Sequence, residues 1–151
     1  MNITCESPDQ REVIALISEL DAYQDTLYPP ESRHCLDLES LKRPNVLFFV
    51  ARDDERRAVG CGAVVLNPAY GEIKRMYVSP HCRGKGVARG LLRALESASA
   101  EAGCKLLKLE TGPFQPDALG LYASLGYERR GPFGGYSPDP LSVFLQKTLA
   151  T

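Results

Sequence analysis

No stretch of this 151-residue chain approaches the roughly 20 consecutive apolar residues that a membrane-spanning helix needs, and the opening "MNITCESPDQRE" lacks the basic-then-apolar order of a secretory leader. The chain is therefore expected in the cytoplasm, with no membrane partner. An excess of either charge is also missing. The 18 Lys+Arg face 19 Asp+Glu for a formal net charge of −1, so no overall basic field favours nucleic acid. Any cationic site must be local. Cysteines at metal or redox spacing are absent: Cys5, Cys35, Cys61, Cys82 and Cys104 are odd in number and include no CxxC pair, which argues against a disulfide framework or a zinc site. His34 and His81 stand apart from any ligand-spaced Cys, Asp or Glu, so they read as exposed loop residues and no metal is expected. Repeats, low-complexity tracts and linkers are lacking too. Residues 1–151 read as one domain, long enough to bury roughly 68–70% of the surface of its unfolded chain.

What the sequence does hold is periodicity. Residues 2 to 6 read as a short strand, and from Glu12 onward Val13, Leu16, Ile17 and Leu20 recur at helical spacing. Pro29 and Pro30 in "LYPPESRHCLD" break that helix into a loop or short helical connection. "NVLFFVAR" and "AVGCGAVVL" are strand-like runs on either side of the charged turn "DDERR", the pattern of a hairpin. "GEIKRMYVS" supplies a third strand, in which Ile73, Arg75, Tyr77 and Ser79 alternate with Glu72, Lys74, Met76 and Val78. A helix follows with Val87, Leu91, Leu92, Leu95 and Ala98 along one face and Gly103 as its stop. "CKLLKLE" is the next strand, "PDALGLYASLG" a short helix ending at Gly126, and "LSVFLQKTL" a closing strand. This order predicts an α/β fold, a mixed sheet with helices packed on it.

The stretch "VSPHCRGKGVARGLL", Val78 to Leu92, joins a strand end, a glycine-rich turn with two cations and an amphipathic helix. The first turn of a helix has orphan N–H groups and a partial positive charge, normally met by a Ser, Thr, Asp or Asn cap. Arg83, Gly84, Lys85 and Gly86 offer no such acceptor, so an external anion such as a phosphate is one natural partner. Gly84 and Gly86 let the backbone come close to it. The other reading is a solvated turn whose glycines serve only geometry. No GxxxxGK[ST] occurs, which argues against nucleoside triphosphate hydrolysis. A dinucleotide fingerprint is the stronger competitor, yet Arg89 holds its third glycine position and about 40 residues beyond Glu110 are too few for a doubly wound sheet.

Arg83, Gly84, Lys85, Gly86, Val87 and Ala88, preceded by "VSP", form an [RQ]-x-x-G-x-[GA] signature after a strand. "QPDALGLYASLGYE" carries a second landmark, the Asn-x-x-Ala-x-x-x-Tyr-x-x-x-Gly-[FY] helix and turn, with Gln115 where Asn is usual. With these motifs the whole chain resembles the GNAT superfamily of acetyl-CoA-dependent N-acetyltransferases. The resemblance implies a mixed central sheet of six to seven strands flanked by about four helices, with strands 4 and 5 splayed to admit a pantetheine arm. It implies acetyl-CoA as co-substrate, with the main chain of Met76 and Val78, near Tyr77, holding the pantetheine. Arg83, Gly84, Lys85, Gly86, Val87 and Ala88 would hold the pyrophosphate, and Gln115 would contact the cofactor. The partner would be an amine-bearing small molecule or peptide, and a homodimer is compatible with this reading.

Amine acetylation needs a neutral nucleophile, whereas an alkyl ammonium with a pKa of about 10.4 is almost wholly protonated at neutral pH. Glu72 matches the general-base glutamate of histone-acetylating members and burial would raise its pKa, but it reads equally as a strand carboxylate paired with Lys74. Glu110 is the reserve base or ammonium-binding group, or a structural partner of Lys108 or Arg75. A main-chain N–H near Tyr77 and Val78 would meet the developing oxyanion. Tyr122 matches the family's catalytic tyrosine, the acid that protonates the departing thiolate. Its other role is packing with Leu121 and Leu125. Lys85 and Arg89 read as phosphate contacts, Arg89 equally as a solvated helix side chain, and Cys82 as a thiol beside the turn that is activated there or simply placed there. "LYPPES" and "PFGGY" read as the acceptor wall, with Tyr28, Glu110 and Tyr136 as substrate-binding residues. The two functional classes left open are an N-acetyltransferase and an acyl-CoA-binding regulatory domain without turnover.

Overall fold

Apolar spacing decides which side of the sheet each element covers. The computed structural model describes residues 1–32 and 37–149, so His34 and Cys35 lie outside the described residues. Strands β1 (Asn2–Cys5), β2 (Val46–Arg52), β3 (Ala58–Leu66), β4 (Gly71–Val78), β5 (Leu106–Thr111), β6 (Glu128–Arg130) and β7 (Val143–Thr148) form one sheet in the order β1-β2-β3-β4-β5-β7-β6. The helices are α1 (Arg11–Leu27), α2 (Leu38–Leu41), α3 (Val87–Glu101) and α4 (Pro116–Ser124), with 3-10 turns at Pro30–Ser32 and Pro80–Cys82. Helix α1 buries Val13, Leu16 and Leu20 on one side of the sheet, against Phe48, Val50, Cys61, Ala63 and Tyr77. On the other side α3 buries Leu92 and Leu95 with Val64, Ile73, Leu107 and Leu109. Each such leucine contributes roughly 1.5–3 kcal/mol through lost apolar hydration.

Every neighbouring strand pair is antiparallel except β4 with β5. That parallel pairing ends after three rows, Gly71 with Leu107, Glu72 with Lys108 and Ile73 with Leu109. Strand β5 meanwhile keeps all of Leu106 to Thr111 paired with β7. The second half of β4 and the end of β5 therefore part company, and the expected splay of strands 4 and 5 is present.

Two features correct the sequence reading. Strict alternation along "GEIKRMYVS" fails because β4 bulges: Cys61 pairs with Tyr77 but Ala63 pairs with Lys74, leaving Arg75 and Met76 against Gly62. Arg75 takes φ 59, a left-handed conformation costing about 1–2 kcal/mol. Its guanidinium is held 2.6 Å from Asp21 of α1. Beyond the bulge Met76 packs on the α3 side, where any side chain at Gly62 would collide with its sulfur. Lys74 and Arg75 thus share the α1 side instead of alternating. The second correction is β6. Glu128, Arg129 and Arg130 show no apolar alternation, and this edge strand is ordered by its pairing with β7.

Candidate functional site

The parting strands open a cleft of about 610 Å³ between α1, the second half of β4, the glycine turn, the end of β5 and α4. At one end, Gly84 (φ 77) and Gly86 (φ 81) are both left-handed, which only glycine adopts without strain. Gly86 is the N-cap of α3 and supplies no side-chain cap. A Cβ at either glycine would meet nothing within 4 Å, so the first turn of α3 faces open space on the cleft. Val87 and Ala88 share that lining, whereas Lys85 does not. Arg83 is otherwise engaged: its Nε donates to the Val78 carbonyl at 3.1 Å, and its guanidinium lies 5.4 and 5.6 Å from the Tyr23 and Tyr77 rings. It fastens the turn to β4 and α1. Arg89 spans to α4, donating to Ser124 Oγ at 3.0 Å.

The strand edge can be assigned by hydrogen-bond direction. Ser79 N–H donates to the Val59 carbonyl on the β3 side, and neighbouring residues of a strand point their amide groups to opposite edges. Val78 therefore turns N–H and C=O towards the edge that β5 has left. Met76 and Val78 both line the cleft.

Tyr122 comes in from α4. Its ring sits in the core cluster, 5.5 Å edge-to-face from Tyr127, yet the residue also lines the cleft. Tyr122 is thus at once part of the core and part of the cleft lining. Burial pushes its phenol well above the usual range.

The other end of the cleft is built from interlocked side chains. Tyr28, from the corner after α1, stacks on Phe114 at 5.4 Å, accepts from Phe114 N–H at 3.1 Å and donates to Gln115 Oε1 at 3.3 Å. Burial raises its phenol, helped by the charges of Tyr23 and Glu110. Gln115 thus ties Tyr28 to the start of α4. Glu110 lines the cleft, but Glu72 and Tyr136 do not. Tyr136 donates to Glu72 at 2.5 Å and accepts from Lys74 at 2.5 Å, while Lys74 lies 3.1 Å from Glu72. Burial, then this hydrogen bond, raises the Tyr136 phenol, and the charge of Glu110 adds to it. The wall residue of this cluster is Lys74. Sequence reasoning did not select Lys74 or Arg75 as site residues, since only the bulge brings them together on one side.

The family profile described as the acetyltransferase (GNAT) family matches residues 14–127. An IAA acetyltransferase of Azospirillum brasilense is 47% identical over 151 residues, 99% of this chain and 98% of that protein. A crystal structure from Klebsiella pneumoniae, assigned to the acyl-CoA N-acyltransferases, superposes with a TM-score of 0.84 at 41% identity and covers 99% of this chain and 97% of its own. The fold is shared with an aminoglycoside 6'-N-acetyltransferase complexed with coenzyme A, at TM-score 0.76 and 17% identity, covering 100% of this chain and 98% of that one.

Proposed function

Because this chain belongs to the GNAT family of acetyltransferases and is on that ground an acyltransferase, we propose that it moves an acetyl group from acetyl-CoA to the primary amine of a small molecule by direct attack. The observation that carries the reading is the shared cleft: an uncapped, glycine-bracketed helix start, the strand edge that β5 has left and a buried tyrosine all open onto it. The residues present fit the co-substrate, because the orphan amides at the start of α3 need an anion and side chains leave that space open. Gly84, Gly86, Val87 and Ala88 would hold the pyrophosphate by main chain, and Met76 and Val78 would flank the pantetheine. When bound, the thioester supplies an activated acetyl group.

The chain's own groups then have separable tasks. Glu110 on the cleft wall receives the acceptor's ammonium and takes its proton, directly or through one water. Glu72 sits behind Lys74 and Tyr136 and acts on the cleft through them. Val78 N–H, aimed at the open edge, meets negative charge as it develops on the carbonyl oxygen. Tyr122, held protonated by burial, donates to the departing sulfur. A thiol with a pKa of about 8.5 is a fair leaving group, so this donation need only accompany charge development.

The test is acetyl-CoA titration by calorimetry together with release of free CoA thiol in the presence of amines. Binding with amine-dependent thiol release is expected. Binding without release to any amine would instead make this an acyl-CoA-binding regulatory domain.

A further inference from the structure

The proposed reaction assigns no group of the acceptor to two wall cations that are ion-paired within the protein, Lys74 with Glu72 and Arg75 with Asp21. Lys74 and Arg75 both line the cleft, although consecutive side chains of a regular strand point to opposite faces. The bulge at Arg75 puts them on one wall. Lys74 is fixed there, its side chain only 15% exposed, between Glu72 and Tyr136. Its rotamer freedom is already surrendered, so a further contact costs little side-chain entropy.

Across the opening stands Glu110. The last paired row of the parallel strands sets Ile73 beside Leu109, which brings Lys74 level with Glu110 one residue further on, where the strands part. A cation on one arm and a carboxylate on the other therefore face the mouth of the split at the same level. Leu20, Tyr23, Tyr28 and Leu141 supply apolar and aromatic surface on the same cleft.

We propose that the acceptor is an α-amino acid or close analogue with an apolar or aromatic side chain. Its ammonium is seated at Glu110 and its carboxylate at Lys74, with Arg75 behind. The proposal deepens the acetyl-transfer reading and rests on it. A zwitterion would set its carboxylate beside the Lys74 ammonium and its ammonium beside the Glu110 carboxylate, and both contacts are charge-assisted. An acceptor with a cation in place of the carboxylate would meet the Lys74 ammonium with like charge. Losing the carboxylate forfeits one contact and holds the amine less firmly before the thioester carbon.

The experiment measures thiol release from acetyl-CoA with a panel of free α-amino acids, and with the amide and the decarboxylated amine of each acid that reacts. The expected result is a preference of roughly ten- to a hundred-fold in kcat/KM, per free amine, for the acid over both derivatives, the scale of one hydrogen bond to a charged group. In Lys74→Met that preference collapses, and Lys74→Arg restores part of it. Acetyl-CoA affinity and melting temperature are measured on each variant to show that the cofactor arm and the fold persist. Equal use of acid and decarboxylated amine, a preference unchanged in Lys74→Met, or failure to acetylate any amino acid while acetyl-CoA binds each overturns the amino-acid acceptor and leaves acetyl transfer standing. If the parent protein does not bind acetyl-CoA, acetyl transfer itself fails, and the acceptor proposal with it.

Discussion

The two ends of the cleft are made of different material. At the glycine turn the surface is main chain, with two left-handed glycines, a helix start without a side-chain cap, and space where a Cβ would stand. At the other end nearly every wall residue is tied to another, as in Tyr28 to Phe114 and Gln115, Lys74 to Tyr136 and Glu72, and Arg75 to Asp21. On the proposed reading the backbone cradle takes a group that every acyl-CoA carries, and needs only glycine and a helix to do so. A side-chain wall reads shape and charge, and has to be rigid before it can discriminate. On the proposed reading, one cleft along the same pair of strands has a constant end for the co-substrate and a variable end for the acceptor.

Breaking the constant end should give the largest effect. Gly86→Glu adds a carboxylate where the phosphates would lie and forces a side chain into a left-handed conformation, so acetyl-CoA binding should be abolished in calorimetry. Unchanged affinity in a folded variant would return the turn to a purely geometric role. Next comes Tyr122→Phe, which removes a hydroxyl and keeps the ring. Turnover should fall by roughly 10²–10⁴-fold, the usual worth of one acid or base, with acetyl-CoA affinity nearly constant. The pH sense follows from burial. A phenol raised above its ordinary 10.0 stays protonated throughout the working range, so no alkaline loss of kcat below that pH belongs to Tyr122. An alkaline limb that disappears in Tyr122→Phe would contradict this assignment.

The variable end is tested by its two carboxylates. Glu110→Gln should lower kcat by roughly 10²-fold or more, since it removes the wall carboxylate proposed to take the proton. Glu72→Gln should act less on kcat and more on KM, because it loosens Lys74 and Tyr136 without touching the acceptor. The reverse order of effects would make Glu72 the base and Glu110 the positioning group.

How much of this was legible in the sequence follows the same division. The glycine turn, α3 and the "ALGLYASLGY" helix announce themselves, because local chemistry forces them: glycine where φ is positive, missing caps, helical spacing. The apolar strands are legible for the same reason. Glu72 was selected from its place in a strand and its match to the base of histone-acetylating members, but neither can tell a cleft wall from the layer behind it. Lys74 and Arg75 depend on one extra residue in β4, and no propensity marks a bulge whose cause is the pairing of Cys61 with Tyr77 and Ala63 with Lys74. Strand β6 is three polar residues that only β7 makes into a strand. Tyr28 reaches Gln115 across 87 positions of sequence, a contact that no local pattern carries.

The smallest effect sharpens the comparison through glycine itself, which serves the two ends for different reasons. Gly84 is needed for its φ of 77, with nothing near its Cβ position, whereas Gly112 has no positive φ and faces the Tyr28 hydroxyl so closely that any Cβ would collide with it. Gly84→Ala should therefore cost about 1–2 kcal/mol of backbone strain, independent of any neighbour. Gly112→Ala should cost about 1–3 kcal/mol by overpacking, and that cost belongs to its partner. Combining each with Tyr28→Ala in a double-mutant cycle separates the two causes. Melting or denaturant titration should give a coupling of at least about 0.5 kcal/mol for the Gly112 pair, and additivity within about 0.5 kcal/mol for the Gly84 pair. Coupling of Tyr28 to Gly84 would mean that the two ends are mechanically joined. The turn would then be a second readout of the acceptor wall, and the division between a constant and a variable end would not hold.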